Sequence, residues 1–247
     1  MGDTTPAAPA GVLTQLLPGG GSVTYFEAEN SRDVQHAQFA WLRQTFEGML
    51  PTAVLFEGVD CGTGATEAAT IAGLGAAGYA RFLARQYDVP ATSLDNEPAT
   101  YEHLRATTDP EQLKLYYLLH AVQRFQHRPD ASKALSTKAM RQIMANGHAY
   151  LPGTGHVVRN LTALRAAYRR HCPAGGKWWH TPAAYFAEGA SVASAPYPLF
   201  RTITSTRAAF RRQYRASQLA AYDQAGQRVL VVVVPGHGPG RALASGR

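Results

Sequence analysis

The chain has 247 residues, enough to bury a substantial core as one large domain or two small ones. Hydrophobic residues make up 45% and charged residues 17%, a balance that excludes an intrinsically disordered chain. Lys and Arg number 24 against 17 Asp and Glu, and the resulting charge of +7 favours acidic partners such as nucleic acid or an anionic membrane surface.

That excess is spread along helices, in Arg165, Arg169 and Arg170 and later in Arg207, Arg211, Arg212 and Arg215. Such clusters read as solvated helix faces. No nucleic-acid-binding motif accompanies them, so no nucleic-acid partner is expected. Cys61 and Cys172 are too few for a disulfide framework and lack the C-x-x-C spacing of a metal site. No stretch approaches the roughly 18 to 20 apolar residues of a membrane span. Residues 1–21, rich in Pro, Gly, Ala and Thr, read as a flexible segment without the basic-then-apolar pattern of a signal peptide. The chain is therefore expected to stay in the cytoplasm.

From residue 22 onward the pattern reads as a single α/β domain. Ser22–Ala28 is β-branched and aromatic, which predicts a strand. Asn30 and Ser31 are expected to cap the next helix, which carries Val34, Ala37, Trp41, Phe46 and Met49 at helical spacing and ends before Pro51. Ala53–Phe56 predicts a second strand running into Glu57-Gly58, followed by a glycine-rich stretch and a helix through Tyr79 and Leu83. Ala91–Leu94 predicts a short third strand ending at Asp95. This alternation is that of βαβ units in a mostly parallel sheet flanked by helices. Thr108 with Glu111 matches a capping box at the start of a buried helix, with Pro110 in its first turn. Residues of about 130–225 read as a helical insertion before the last core strand. Arg228–Val234 is a continuous β-branched run, the mark of a strand buried on both faces, and it leads into Pro235-Gly236-His237.

In an open parallel sheet, ligands bind beyond the carboxyl ends of the strands. Glu29 and Asn30, Glu57, Asp95 and His237 all fall at such ends. Carboxylates and an imidazole gathered there suit two chemistries: holding a divalent metal that activates water, or metal-free general acid–base catalysis. Gly153-Thr154-Gly155-His156 follows a helix and a turn, and His156 reads as a loop residue capping the helix that begins near Val157. Trp178-Trp179-His180 is an aromatic cluster beside glycines, suited either to lining a substrate pocket or to packing the insertion.

The order of Glu27-Ala28-Glu29-Asn30, helix, strand, Glu57-Gly58, glycine-rich stretch and GYARFLARQYDVPATSLD resembles the TraB/Tiki (GumN/PrgY-like) group of the erythromycin-esterase/ChaN-like superfamily. In that group the first strand ends in G-x-x-H, the second in E-G, and a late strand in a second G-x-x-H. The resemblance implies a metal-dependent hydrolase of peptide or ester bonds, with Mn, Co or Zn as the cofactor. Glu57 and His237 would be its metal ligands. Glu57, His237 and Glu29 would be its catalytic groups, with Asn30 and Asp95 contacting a small-molecule or peptide ligand; Trp178 and Trp179, from their own aromatic cluster, would add contacts to that ligand. The chain departs from the pattern at Glu27, where the first motif has glycine, and at Asn30, where it has histidine. Asparagine is a much poorer ligand for a transition metal than imidazole and does not shuttle protons near neutral pH. The alternative implied is a member that has lost turnover and keeps its pocket for binding.

Overall fold

A computed structural model describes residues 11–126, 132–186, 197–224, 226–236 and 238, the side chain of His148 apart. The α/β expectation is borne out. One sheet of five strands has the order β1-β2-β5-β3-β4, built from β1 (Val12–Leu16), β2 (Ser22–Glu27), β3 (Ala53–Phe56), β4 (Ala91–Ser93) and β5 (Arg228–Val233). Only β1 runs antiparallel to its neighbour; β2, β5, β3 and β4 are mutually parallel.

The chain divides into two compact units, the first formed by residues 1–96 with 213–247 and the second by residues 97–212. In the first, α1 (Ala37–Met49) and α2 (Glu67–Gln86) cover one face of the sheet. Phe39, Leu42 and Phe46 of α1 and Ile71, Tyr79 and Leu83 of α2 pack there on Phe26, Val54, Phe56, Leu230 and Val232. The opposite face presents Val23, Leu55, Val229, Val231 and Val233, and is packed by Leu219 and Tyr222. The predicted two-sided burial of the last strand follows from this alternation, because Leu230 and Val232 serve one layer while Val229, Val231 and Val233 serve the other.

Several local expectations are corrected. Residues 12–16, read as part of a flexible segment, form β1, whose register with β2 is fixed from Val12↔Phe26 to Leu16↔Ser22. Leu13 and Leu16 stay exposed on this edge strand, so no run of buried apolar residues announces it in the sequence. The first helix starts at Ala37 rather than near Asn30, with His36 as its N-cap accepting from the Gln38 amide. Trp41 and Val34 lie at the surface while Phe39 and Leu42 are buried, so the apolar stripe is rotated from the one expected.

The second unit lies between β4 and β5 in sequence and is helical from Glu97, ahead of the expected start near residue 130. It holds α3 (Glu97–Thr107), α4 (Pro110–Gln126), α5 (Lys133–Ala145), α6 (Gly147–Tyr150), α7 (Leu161–His171) and the first part of α8 (Pro198–Ala220). The expected capping box at Thr108 is replaced by Asp109, whose Oδ1 accepts from the amides of Glu111 and Gln112. Pro110 does occupy the first helical position. Leu113, Leu115, Leu118, Leu119 and Val122 make α4 the buried centre of this unit. The helix beginning after His156 is capped by Asn160, four residues further on, and His156 is exposed.

Candidate functional site

Because β2, β5, β3 and β4 are parallel, their carboxyl ends share one edge of the sheet. The ladder continues one residue beyond the strands: Ala28 N–H donates to the Val233 carbonyl, Glu57 N–H to Val232, and Leu94 N–H to Phe56, each at 2.8 Å. Glu29, Asn30, Glu57, Asp95 and Val234 are thereby carried to the same edge.

Glu57 and Asp95 meet there around a third residue, Arg215 of α8. The Arg215 guanidinium donates through Nη2 to Glu57 Oε1 at 2.6 Å and to Asp95 Oδ1 at 2.8 Å. The remaining carboxylate oxygens also have donors: Val234 N–H reaches Glu57 Oε2 at 3.1 Å, and Gly58 N–H reaches Asp95 Oδ2 at 2.9 Å. Ser93 steadies the turn, its Oγ donating to the Gly58 carbonyl at 2.5 Å and accepting from the Asp95 amide at 2.9 Å. The cluster is largely withdrawn from water, with side-chain exposures of 21% for Arg215, 11% for Glu57 and 6% for Asp95. Burial works against the charge on Arg215, but Asp95 and Glu57 outweigh it and hold the guanidinium more firmly protonated than usual.

Above Glu57 opens a cavity of about 290 Å³, walled by Glu29, Asn30, Arg32, Cys61 and Arg81 and floored by Gly73–Gly78 of α2. The floor is shaped by a break in the helix. Gly75 adopts φ 64° and ψ −152°, and a Cβ at this position would lie 3.1 Å from the Ser31 carbonyl oxygen. Glycine is required on both counts, since an L side chain is strained at that φ and the loop after β2 leaves little room. Arg81 pairs with Asp60 at the rim. Glu29 is mostly exposed at 72%, with its carboxylate 3.5 Å from His36 Nε2 and its backbone clamped in both directions by Gln38.

Of the residues predicted from sequence, the structure brings Glu29, Asn30 and Glu57 to one pocket, and joins Asp95 to Glu57 through Arg215. His237 lies outside the described residues. Its flanking residues are held by Glu27, whose Oε1 accepts from Gly236 N–H at 3.2 Å and Gly238 N–H at 3.3 Å. Glu27 thus holds the backbone on either side of position 237. Trp178 and Trp179 belong to the helical unit, where Trp178 is 3% exposed within that unit's core and Trp179 packs edge-on against it. Sequence reasoning missed Arg215, placing it on a solvated face, along with Arg32, Arg81 and the glycine floor.

The divalent metal implied by the family resemblance does not fit the described donors as they stand. Both oxygens of Glu57 and of Asp95 already accept hydrogen bonds, and Arg215 holds the cation position between the two carboxylates. Among the described residues, no group of three or more His, Cys, Asp or Glu side chains converges as a metal centre requires. Nor is any helix among them long and apolar enough to cross a membrane. Comparison with known proteins found no match among family models, curated proteins or solved structures.

Proposed function

We propose that this chain is a divergent TraB/Tiki-like protein that uses its strand-end pocket to bind a small molecule or peptide, without metal-assisted turnover. The observation that carries this reading is Arg215, which supplies Glu57 and Asp95 with a built-in cation. An enzyme that activates water on a metal needs open carboxylates and a vacant coordination position. Here Glu57, braced by Arg215, serves instead as a polar wall of a cavity near the lower end of the range for small-ligand pockets, about 300 Å³. Glu29 and Asn30 offer a carboxylate, an amide donor and an acceptor at the rim, and Arg32 adds a cation. Cys61 and Cys172 are both free thiols, which supports a reducing, cytoplasmic setting.

The competing reading is metal-assisted hydrolysis of a peptide or ester bond. It is favoured by the convergence of Glu57 with the turn that leads into His237. One experiment separates the two. The purified chain is dialysed against Mn²⁺, Co²⁺ or Zn²⁺, its metal content is measured, and turnover of a p-nitrophenyl ester and of an unstructured peptide is followed. The binding reading predicts clearly substoichiometric metal and no turnover above that of a Glu57→Ala variant. One metal per chain, with turnover that Glu57→Ala abolishes, would establish the hydrolase instead.

A further inference from the structure

The helical unit carries a cavity of its own, about 420 Å³ in volume, that plays no part in the reading above. Its wall is assembled from Lys133 at the start of α5, Arg165, Tyr168 and Arg169 of α7, and the segment from Cys172 to Trp179. Lys133, Arg165, Arg169 and Lys177 all line it, and among the described residues no carboxylate does. Among the described residues, none of these four side chains is paired with an acid, whereas the neighbouring Arg170 is held by Glu111 at 2.6 Å.

The cations converge. Lys133 Nζ lies 4.6 Å and Lys177 Nζ 6.0 Å from the centroid of the same Trp179 ring. Arg165 and Arg169 stand one helical turn apart on α7, a spacing at which like charges repel. The Trp179 ring and the carboxyl end of α7 offset part of this positive potential, but no carboxylate among the described residues of the wall does, and a bound anion would. Trp178, also in the wall, is 3% exposed with an indole N–H that has no acceptor among the described residues. Cys172 contributes no negative charge, because burial pushes its thiol up to about 12 and keeps it protonated.

A single carboxylate would answer only one of four cations. Phosphate groups carry up to two charges each and accept the forked hydrogen bonds that arginine offers. The volume is that of a small-ligand pocket, which is a concave site rather than the extended basic stripe that follows a nucleic-acid backbone. We propose that this cavity binds a phosphorylated small molecule, with its phosphates on Arg165, Arg169, Lys133 and Lys177 and the rest of the ligand against Trp179.

Tryptophan fluorescence reads the site directly, since Trp178 and Trp179 are two of the three tryptophans in the chain. The full chain is titrated with inorganic pyrophosphate and with ATP at low and moderate salt, and each isotherm is confirmed by calorimetry. A saturable signal is expected for at least one probe, and tighter binding of ATP would show that Trp179 contributes beyond the phosphates. Replacing Arg165 and Arg169 together by glutamine should weaken binding by at least about tenfold, the scale expected for losing charge-assisted hydrogen bonds. Lys177→Gln should weaken it too, and Arg212→Gln, outside the cavity, should not. Unchanged circular-dichroism melts establish that each variant is folded. The proposal is overturned if neither probe binds, if the double variant binds as tightly as the parent, or if only duplex DNA binds, with a steep salt dependence that assigns the patch to nucleic acid.

Discussion

Arg215 Nη2 lies 2.6 Å from Glu57 Oε1, so a helix arginine occupies the cation position of a strand-end carboxylate site. The same nitrogen reaches Asp95, and the backbone amides of Val234 and Gly58 take the outer oxygens. Two carboxylates and one guanidinium carry a net negative charge, which these oriented amides help to offset. Removing the arginine would take its guanidinium from two largely buried carboxylates. Arg215→Met is therefore expected to lower stability by about 3 to 5 kcal/mol, as for other broken buried ion clusters. Urea unfolding of the variant measures this directly. A loss under about 1 kcal/mol would reduce the contact to an ordinary surface pair.

Gly75 is the hinge of the pocket floor. Gly75→Ala combines a positive φ with a Cβ 3.1 Å from the Ser31 carbonyl, and is expected to cost about 1 to 2 kcal/mol. Gly73→Ala, where nothing lies within 4 Å of an added Cβ, should be neutral or slightly stabilising because alanine is the better helix former. Paired thermal melts of the two variants test the contrast, and equal effects would contradict it.

Lys114 is 3% exposed and donates through Nζ to the Thr154 carbonyl at 3.0 Å and the Val157 carbonyl at 2.7 Å. Burial, with Arg159 adding repulsion, lowers its affinity for a proton. Its methylene stem packs in α4 while its head ties down the loop carrying Gly153–His156. Lys114→Met should keep the packing and leave both carbonyls without that donor, a loss of about 2 kcal/mol. Limited proteolysis should then cut between residues 152 and 159 faster than in the parent, and unchanged cleavage there would argue against the tether.

His120 lies against Tyr116 and Phe186, with ring centroids 6.1 and 4.8 Å away. Burial pushes its imidazole from the ordinary 6.5 down to about 4, with Arg124 and Arg207 adding to the shift and Glu97 opposing it. Between these values the unfolded chain takes up a proton that the folded chain refuses, so stability falls as pH drops from about 6.5 to 4. His120→Phe should flatten that part of a melting-temperature profile. An identical slope in parent and variant would show that the imidazole is not the group responsible.

The residues that were legible in the sequence are those whose placement depends on strand periodicity and chain order. The run Arg228–Val234 has the pattern of a strand buried on both faces, which holds through Val233, and a parallel sheet then puts Glu57 and Asp95 on the same edge. Arg215 was not legible for a definite reason. Helical spacing groups it with Arg211 and Arg207 but does not say which surface that side of α8 meets, and three arginines look alike until the sheet is in place. The strand β1 was hidden because its leucines remain exposed, and the break at Gly75 because a glycine inside a helical run gives no warning of its φ. Asn30 was legible as a departure from the motif that the chain resembles, whereas the arginine between Glu57 and Asp95 is recorded by no motif.

We propose that Arg215 takes the place of a metal ion between Glu57 and Asp95. The most direct test is the unfolding free energy of the parent chain, measured with and without excess Zn²⁺ or Mn²⁺. A resident metal at one hundred times its dissociation constant would stabilise the fold by about 2.7 kcal/mol. No stabilisation of the parent by either ion is expected. Stabilisation of that size in the parent, absent from Glu57→Ala, would contradict it.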